Sequence, residues 1–130
     1  MQKCHFFRWV ITVIFGRMAP NSSPHLLIYI TCGSKENATE IATALVQEQL
    51  AACVNILPGI ESVYRWEGKL ESAAEYLLMI KTRREVLATL RERVCKLHHY
   101  ELPEIIAVPI VAGLEPYLNW ITESVTQHEK

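Results

Sequence analysis

Two prolines and two apolar runs constrain the fold of this chain more than anything else in it. The runs HLLIYITC (25–32) and EYLLMIKT (75–82) are almost continuous in apolar, β-forming residues. A short run without polar alternation reads as a strand covered on both faces, and hence central in a sheet. Two further β-rich stretches carry proline: Pro58-Gly59 interrupts LAACVNILPGIESVYRW (50–66), and Pro109 lies in EIIAVPIVA (104–112). Proline has no N–H to give to a ladder, so both stretches belong at sheet edges, with a bulge or bend at Pro58-Gly59. WEGKLE (66–71) holds a glycine turn and joins the second and third stretches as a hairpin.

Helical patterns fill the gaps. Ser34 is placed to cap a helix starting near Lys35, whose apolar stripe is Ala38, Ile41, Ala42, Leu45 and Val46. Thr82-Arg-Arg-Glu85 has the spacing of a capping box, which predicts a helix start there. That helix buries Val86, Leu87, Leu90, Val94 and Leu97 and ends near His98, ahead of Pro103. A last helix opens with Pro116 and carries Tyr117, Ile121 and Val125 as its stripe, with Leu118 beside it.

The order is β-α-β-β-α-β with an extra C-terminal helix, the ferredoxin-like α+β arrangement. Right-handed crossovers put strands one and three in the middle and strands two and four at the edges. The prolines and the apolar runs make the same assignment independently. The hairpin over residues 50–82 is long for so small a domain. It carries Ile60, Val63, Tyr64 and Trp66 beyond the reach of two short helices. Exposed apolar edges call for cover by another chain, so a homo-oligomer is expected.

A chain of 130 residues is expected to form one domain, here residues 25–130. The first 24 residues are set apart as a leader. MQKCHFFRWVITVIFGRMAP is too short for a membrane span, and Arg8 breaks its resemblance to a signal peptide. Initiation at Met18 is the preferred reading, with a secretory or anchoring leader as the alternative. No stable membrane insertion is expected. The formal net charge of −1 gives no global field that favours nucleic acid. An RNA-binding module of the same strand order would carry aromatic residues in a set pattern on its third strand, and EYLLMIK lacks it.

Cys4, Cys32, Cys53 and Cys95 form no C-x-x-C pair, so neither a zinc knuckle nor a redox motif is signalled. Cys32, Cys53 and Cys95 read as small buried hydrophobes in a reducing, cytoplasmic setting, or one of them as a soft metal ligand. Nothing in the chain shows a nucleophile, base and orienting group together, so no enzymatic role is expected.

Taken together, LAACVNILPGIESVYRWEGKLE, LLMIKTR, HHYELPEIIAVPI and EPYLNWI resemble, in order and spacing, the CutA divalent-cation tolerance family over residues 26 to about 125. The resemblance implies a ferredoxin-like fold assembled into a homotrimer through the long hairpins. It also implies a link to tolerance of copper and other divalent metals, and an architecture similar to that of the PII signalling proteins. The family pattern reads His-Pro-Tyr-Glu where this chain reads His98-His99-Tyr100-Glu101. His99 therefore loosens a turn that proline would fix, and adds an imidazole. Some members carry a cysteine near the end of the first strand, where Cys32 lies.

The corner KLHHYELPEI (96–105) stays open between two readings. In one, His98, His99, Glu101 and Cys32 are ligands for copper(II) or another divalent ion, in a site that only a trimer completes. The helix end opposes this at His98, since its carbonyls favour an imidazolium. In the other, His98 caps the helix, Tyr100 packs, and Glu101 and Glu104 pair with basic groups of a neighbour. Trp66, Glu67, Lys81 and Tyr100 are the candidates for a ligand cleft between subunits. Trp66 and Glu67 also suit a plain hairpin tip. Lys81 and Arg83 precede a helix start that favours anions, and the cap formed by Thr82 and Glu85 competes for it. The leading expectation is a trimeric divalent-cation tolerance protein. The alternative is a PII-like module that binds a small anion at subunit clefts.

Overall fold

The computed structural model describes residues 22–126. The leader and the start at Met18 fall on residues 1–21 and lie outside the described residues. The elements in chain order are β1 (His25–Cys32), α1 (Lys35–Gln47), β2 (Cys53–Trp66) and β3 (Lys69–Arg83). A 3-10 turn (Arg84–Val86), α2 (Leu87–Leu97), β4 (Ile105–Pro109) and α3 (Glu115–Ser124) follow. The sheet order is β2-β3-β1-β4, with each neighbouring pair antiparallel. The apolar runs are thus central and both prolines lie on edge strands, the ferredoxin-like arrangement with an added C-terminal helix. Ser23 and Pro24 already belong to the domain. The Ser23 hydroxyl donates to the Ile110 carbonyl at 2.6 Å, and Arg84 N–H donates to the Pro24 carbonyl at 2.9 Å.

Strand alternation sorts the side chains into two layers. Leu26, Ile28 and Ile30 of β1 and Leu78 and Ile80 of β3 meet Ala38, Ile41 and Leu45 of α1 and Leu90 and Val94 of α2 in one buried core. Each fully buried leucine or isoleucine there contributes roughly 1.5–3 kcal/mol by leaving water. The opposite face pairs Tyr29 with Met79 and Ile106, and Leu27 with Val108. It is apolar too, yet Ile106 and Val108 are exposed on it. The cover expected on both faces is therefore supplied fully on one.

Several local expectations are corrected. Thr82 starts no helix. Its Cα pairs with Leu26, so the strand runs on to Arg83, and its buried hydroxyl donates to the Leu50 carbonyl at 2.6 Å. Because the strand runs on, the helical turn begins at Arg84 with Arg83 in the cap position and no side-chain cap, so the capping box does not form, and Glu85 pairs with Arg83. Val46 is 43% exposed, because the α1 stripe closes on Leu45. Tyr117 is 41% exposed, and Leu118 takes its place against the core beside Ile121 and Val125. The last strand stops at Pro109, shorter than the 104–112 stretch expected of it. The Ser34 cap does form, accepting from Asn37 N–H at 3.1 Å.

The hairpin governs the shape of the site. Its strands have 14 and 15 residues, against eight in β1 and five in β4. β1 pairs with β3 only as far as Tyr76, so Lys69–Glu75 is bonded to β2 alone. The register shifts between Leu57 and Ile60, around Pro58-Gly59, as expected of a bulge. The turn is two residues, Glu67 and Gly68, both at positive φ (50° and 79°), which matches the right-handed twist of the strands. Val63, Trp66 and Leu70 stand exposed along this outer half, Leu70 at 77%.

Candidate functional site

The corner after α2 is held from inside. α2 ends because His98 turns to extended backbone, while its N–H still donates to the Val94 carbonyl. The His98 ring is 2% exposed. Its Nε2 lies 2.8 Å from the Thr31 carbonyl, and its Nδ1 lies 3.0 Å from Tyr100 N–H. A carbonyl can only accept and a backbone N–H can only donate. The ring is therefore the neutral tautomer with its proton on Nε2. This corrects the expectation of an imidazolium favoured by the helix end: the ring has left the helix axis and threads the core. Cys32 Sγ lies 3.7 Å from the same Nε2. Burial pushes the Cys32 thiol up to about 11, with Glu75 adding to the shift, so this sulfur is a protonated, shielded group.

Asn37 fastens the next residue. It is buried on α1 and donates to the Leu97 carbonyl at 3.1 Å, and its Oδ1 accepts from His99 N–H at 3.1 Å. Proline at 99 would have no N–H for this bond. The histidine thus keeps the corner fixed by a hydrogen bond where proline would fix it by φ. The His99 ring and the Glu101 carboxylate are exposed and make no hydrogen bond or ion pair among the described residues.

Tyr100 links this corner to the hairpin. Its ring lies 4.9 Å from that of His98, tilted by 47°. Its hydroxyl donates to Glu75 Oε2 at 2.7 Å. Burial, the bond to Glu75 and the charge of Glu75 push its phenol up to about 12. Gly33 makes room for it, since a Cβ there would stand 2.8 Å from the Tyr100 oxygen. Glu75 itself is 8% exposed, a carboxylate nearly taken out of water.

Together these residues border a cleft of about 930 Å³ between the outer hairpin and the 100–104 loop. Of the candidate residues, Trp66, Tyr100 and Glu101 border it, together with Tyr64, Glu75 and Glu104. Glu67 and Lys81 are not among its lining residues. Glu67 occupies the hairpin turn, and Lys81 lies on the inner hairpin, where its ammonium bonds to Asn55 Oδ1. His98 and Cys32 sit behind the cleft wall, and His99 faces solvent beside the loop. Among the described residues no group of three histidine, cysteine, aspartate or glutamate side chains is placed to hold a metal ion. Among them also, no helix is long and apolar enough to cross a membrane.

Comparison with known proteins follows the same lines. Residues 26–124 match the family model described as CutA1 divalent ion tolerance protein. The chain is similar to Protein CutA, chloroplastic, of Arabidopsis thaliana, with 50% identity over 101 residues, which cover 78% of this chain and 56% of that protein. It is also similar to the divalent-cation tolerance protein CutA of Thermus thermophilus, with 49% identity over 98 residues, covering 75% of this chain and 95% of that one. The crystal structure of CutA1 from Oryza sativa superposes with a TM-score of 0.79 at 47% identity, covering 82% of this chain and 98% of that one. The chain thus spans a little over half the length of the Arabidopsis protein and nearly all of the bacterial one. With the sheet order, the long hairpin and these matches in agreement, the chain belongs to the CutA1 divalent ion tolerance protein family.

Proposed function

We propose that this chain acts in divalent-cation tolerance as a homotrimer that binds copper(II) or another divalent ion at a subunit boundary. The observation that carries the metal reading is the pair of groups at the corner without partners among the described residues, the His99 imidazole and the Glu101 carboxylate. Imidazole and carboxylate together suit copper(II) and zinc. One chain supplies too few ligands, so neighbouring subunits would complete the set. His98 and Cys32, the other two candidates, would have to break the bond to Thr31 or ionise a buried thiol before ligating. They serve this reading as the support behind the corner.

Support for assembly comes from the outer hairpin. A two-stranded ribbon with exposed Val63, Trp66 and Leu70 is marginal alone and is stabilised by cover from another copy. Cytoplasmic residence belongs to this reading on the free thiols of Cys32 and Cys53, whereas Cys95 is disulfide-bonded and not the reduced buried cysteine the sequence suggested. The chloroplast in the name of the Arabidopsis relative belongs to that protein. Native mass spectrometry with and without copper(II) or zinc tests the proposal. A trimer that takes up ions in a whole-number ratio supports it, and a monomer without bound ions contradicts it.

A further inference from the structure

We propose that the hydrogen bond from Tyr100 to Glu75 is a brace that fixes the angle at which the outer hairpin leaves the sheet, and thereby presets the hairpin for a second copy of this chain. The brace itself is independent of the metal reading. Its consequence for a second copy rests on the assembly reading above.

Both strands of the hairpin lose continuity at one level. β3 pairs with β1 only as far as Tyr76, opposite Cys32, so Glu75 is the first of its residues with β2 as sole strand neighbour. β2 shifts register between Leu57, opposite Leu77, and Ile60, opposite Glu75, with Gly59 at a φ of 80°. A bulge bends its strand, and a two-stranded ribbon has no third strand to resist the bend. Residues 60–75 therefore form an arm with its pivot at Glu75. Outside the arm's own strand ladder, the bond of Glu75 with Tyr100 is the one hydrogen bond or ion pair that joins it to the body among the described residues.

Tyr100 stands where β1 stops. Continued by one residue, the β1 register would set Gly33 opposite Glu75. The Tyr100 hydroxyl enters that place instead, since a Cβ on residue 33 would lie 2.8 Å from its oxygen. The phenol thus gives Glu75 the sideways support that β1 no longer supplies. Its bond to Glu75 Oε2 is 2.7 Å long and has a carboxylate as acceptor, which places it among the stronger hydrogen bonds. The other end of the brace is anchored. Tyr100 N–H donates to His98 Nδ1 at 3.0 Å, and His98 Nε2–H donates to the Thr31 carbonyl at 2.8 Å, beside the end of β1. An arm held at one angle presents Val63, Trp66 and Leu70 to a second copy in a set orientation, without the ordering cost of a swinging one.

Amide hydrogen exchange of the full chain, with sedimentation over a range of concentrations, tests this on wild type, Tyr100→Phe, Glu75→Gln and Thr82→Val. Tyr100→Phe keeps the ring and removes the donor. Thr82→Val lowers stability away from the pivot and serves as the control. The arm opens with the body still folded, so amides of residues 60–75 should exchange at least about tenfold faster in Tyr100→Phe and within about threefold of wild type in Thr82→Val. Glu75→Gln keeps an acceptor without the charge and should speed the same amides by about threefold. Without the brace a smaller fraction of arms is competent to assemble, so the concentration at which the oligomer dissociates should rise at least about threefold in Tyr100→Phe. It should not move in Thr82→Val. Arm exchange unchanged in Tyr100→Phe, or raised equally by Thr82→Val, would overturn the brace. A faster arm with unchanged dissociation would overturn its consequence for assembly. A wild type that is monomeric throughout would overturn the assembly reading with that consequence, and exchange of the arm would still decide the brace.

Discussion

The Nε2–H of His98 points at the Thr31 carbonyl from 2.8 Å, across the fold from α2 to the end of β1. Its other ring nitrogen takes the Tyr100 N–H, so a single side chain ties helix end, strand end and loop together. Removing it in His98→Ala opens a cavity and leaves the Thr31 carbonyl and the Tyr100 N–H without their partner. The expected loss is about 3–5 kcal/mol. His99→Ala keeps the backbone bond to Asn37 and removes an exposed ring, so a change within about 0.5 kcal/mol is expected. Urea unfolding at fixed protein concentration checks both. Equal losses in the two variants would contradict the division of labour between these neighbours.

Alkaline pH probes the Tyr100 link. Its phenol is raised in the folded protein from 10.0 to about 12. A raised value means that the folded state favours the protonated form. The stability from this group is complete below pH 10 and is lost as pH rises through about 12. Cys32 adds a loss of the same sign between 9.0 and about 11. Thermal unfolding followed from pH 8 upward should therefore show falling stability across this window. Tyr100→Phe should flatten the part above 10.

Thr82→Val separates the strand from the capping box. The variant keeps the shape and removes the donor to the Leu50 carbonyl, which costs about 1–3 kcal/mol. Glu85→Ala removes only a partly exposed ion pair with Arg83 and should change stability by less than about 1 kcal/mol. A capping box would make the two losses similar. Chemical denaturation of the two variants distinguishes the cases.

The hairpin turn gives a prediction of the opposite sign. Glu67 holds φ at 50°, a region where a glutamate is strained and asparagine is tolerated. Glu67→Asn should stabilise the protein by about 0.5–1 kcal/mol, since Asn-Gly suits this turn type. Gly68→Ala places a Cβ at φ 79° and should cost about 1 kcal/mol or more. Melting temperatures of the two variants should move in opposite directions.

The sheet order was legible because proline and continuous apolar runs report on local geometry. Proline says where a strand lacks an N–H for a neighbour, and a continuous apolar run says that the strand is covered, hence central. The turn at Glu67-Gly68 and the bulge at Pro58-Gly59 were legible for the same reason. Thr82 misled because its local spacing fits a cap, while a long-range bond to Leu50 decides its role. His98 misled likewise: the helix end is local, and Thr31, which sets its tautomer, is 67 residues away. The cleft was half legible. Trp66, Tyr100 and Glu101 stood out by residue type and by resemblance. Glu75 sits at the start of an apolar run, where a charged residue reads as a solvated strand end. Only the tertiary contact with Tyr100 shows it to be buried.

The central claim is that divalent ions bind through the exposed corner residues of an assembled protein. Calorimetric titration of copper(II) and of zinc into the metal-free full chain tests it most directly, with wild type beside His99→Ala and Glu101→Gln and oligomer mass recorded throughout. The account predicts a saturable site of near-integral ratio per trimer that is lost or weakened at least about tenfold in both variants, with assembly intact. Binding that survives both substitutions unchanged, or no saturable binding to the wild-type trimer, would contradict it.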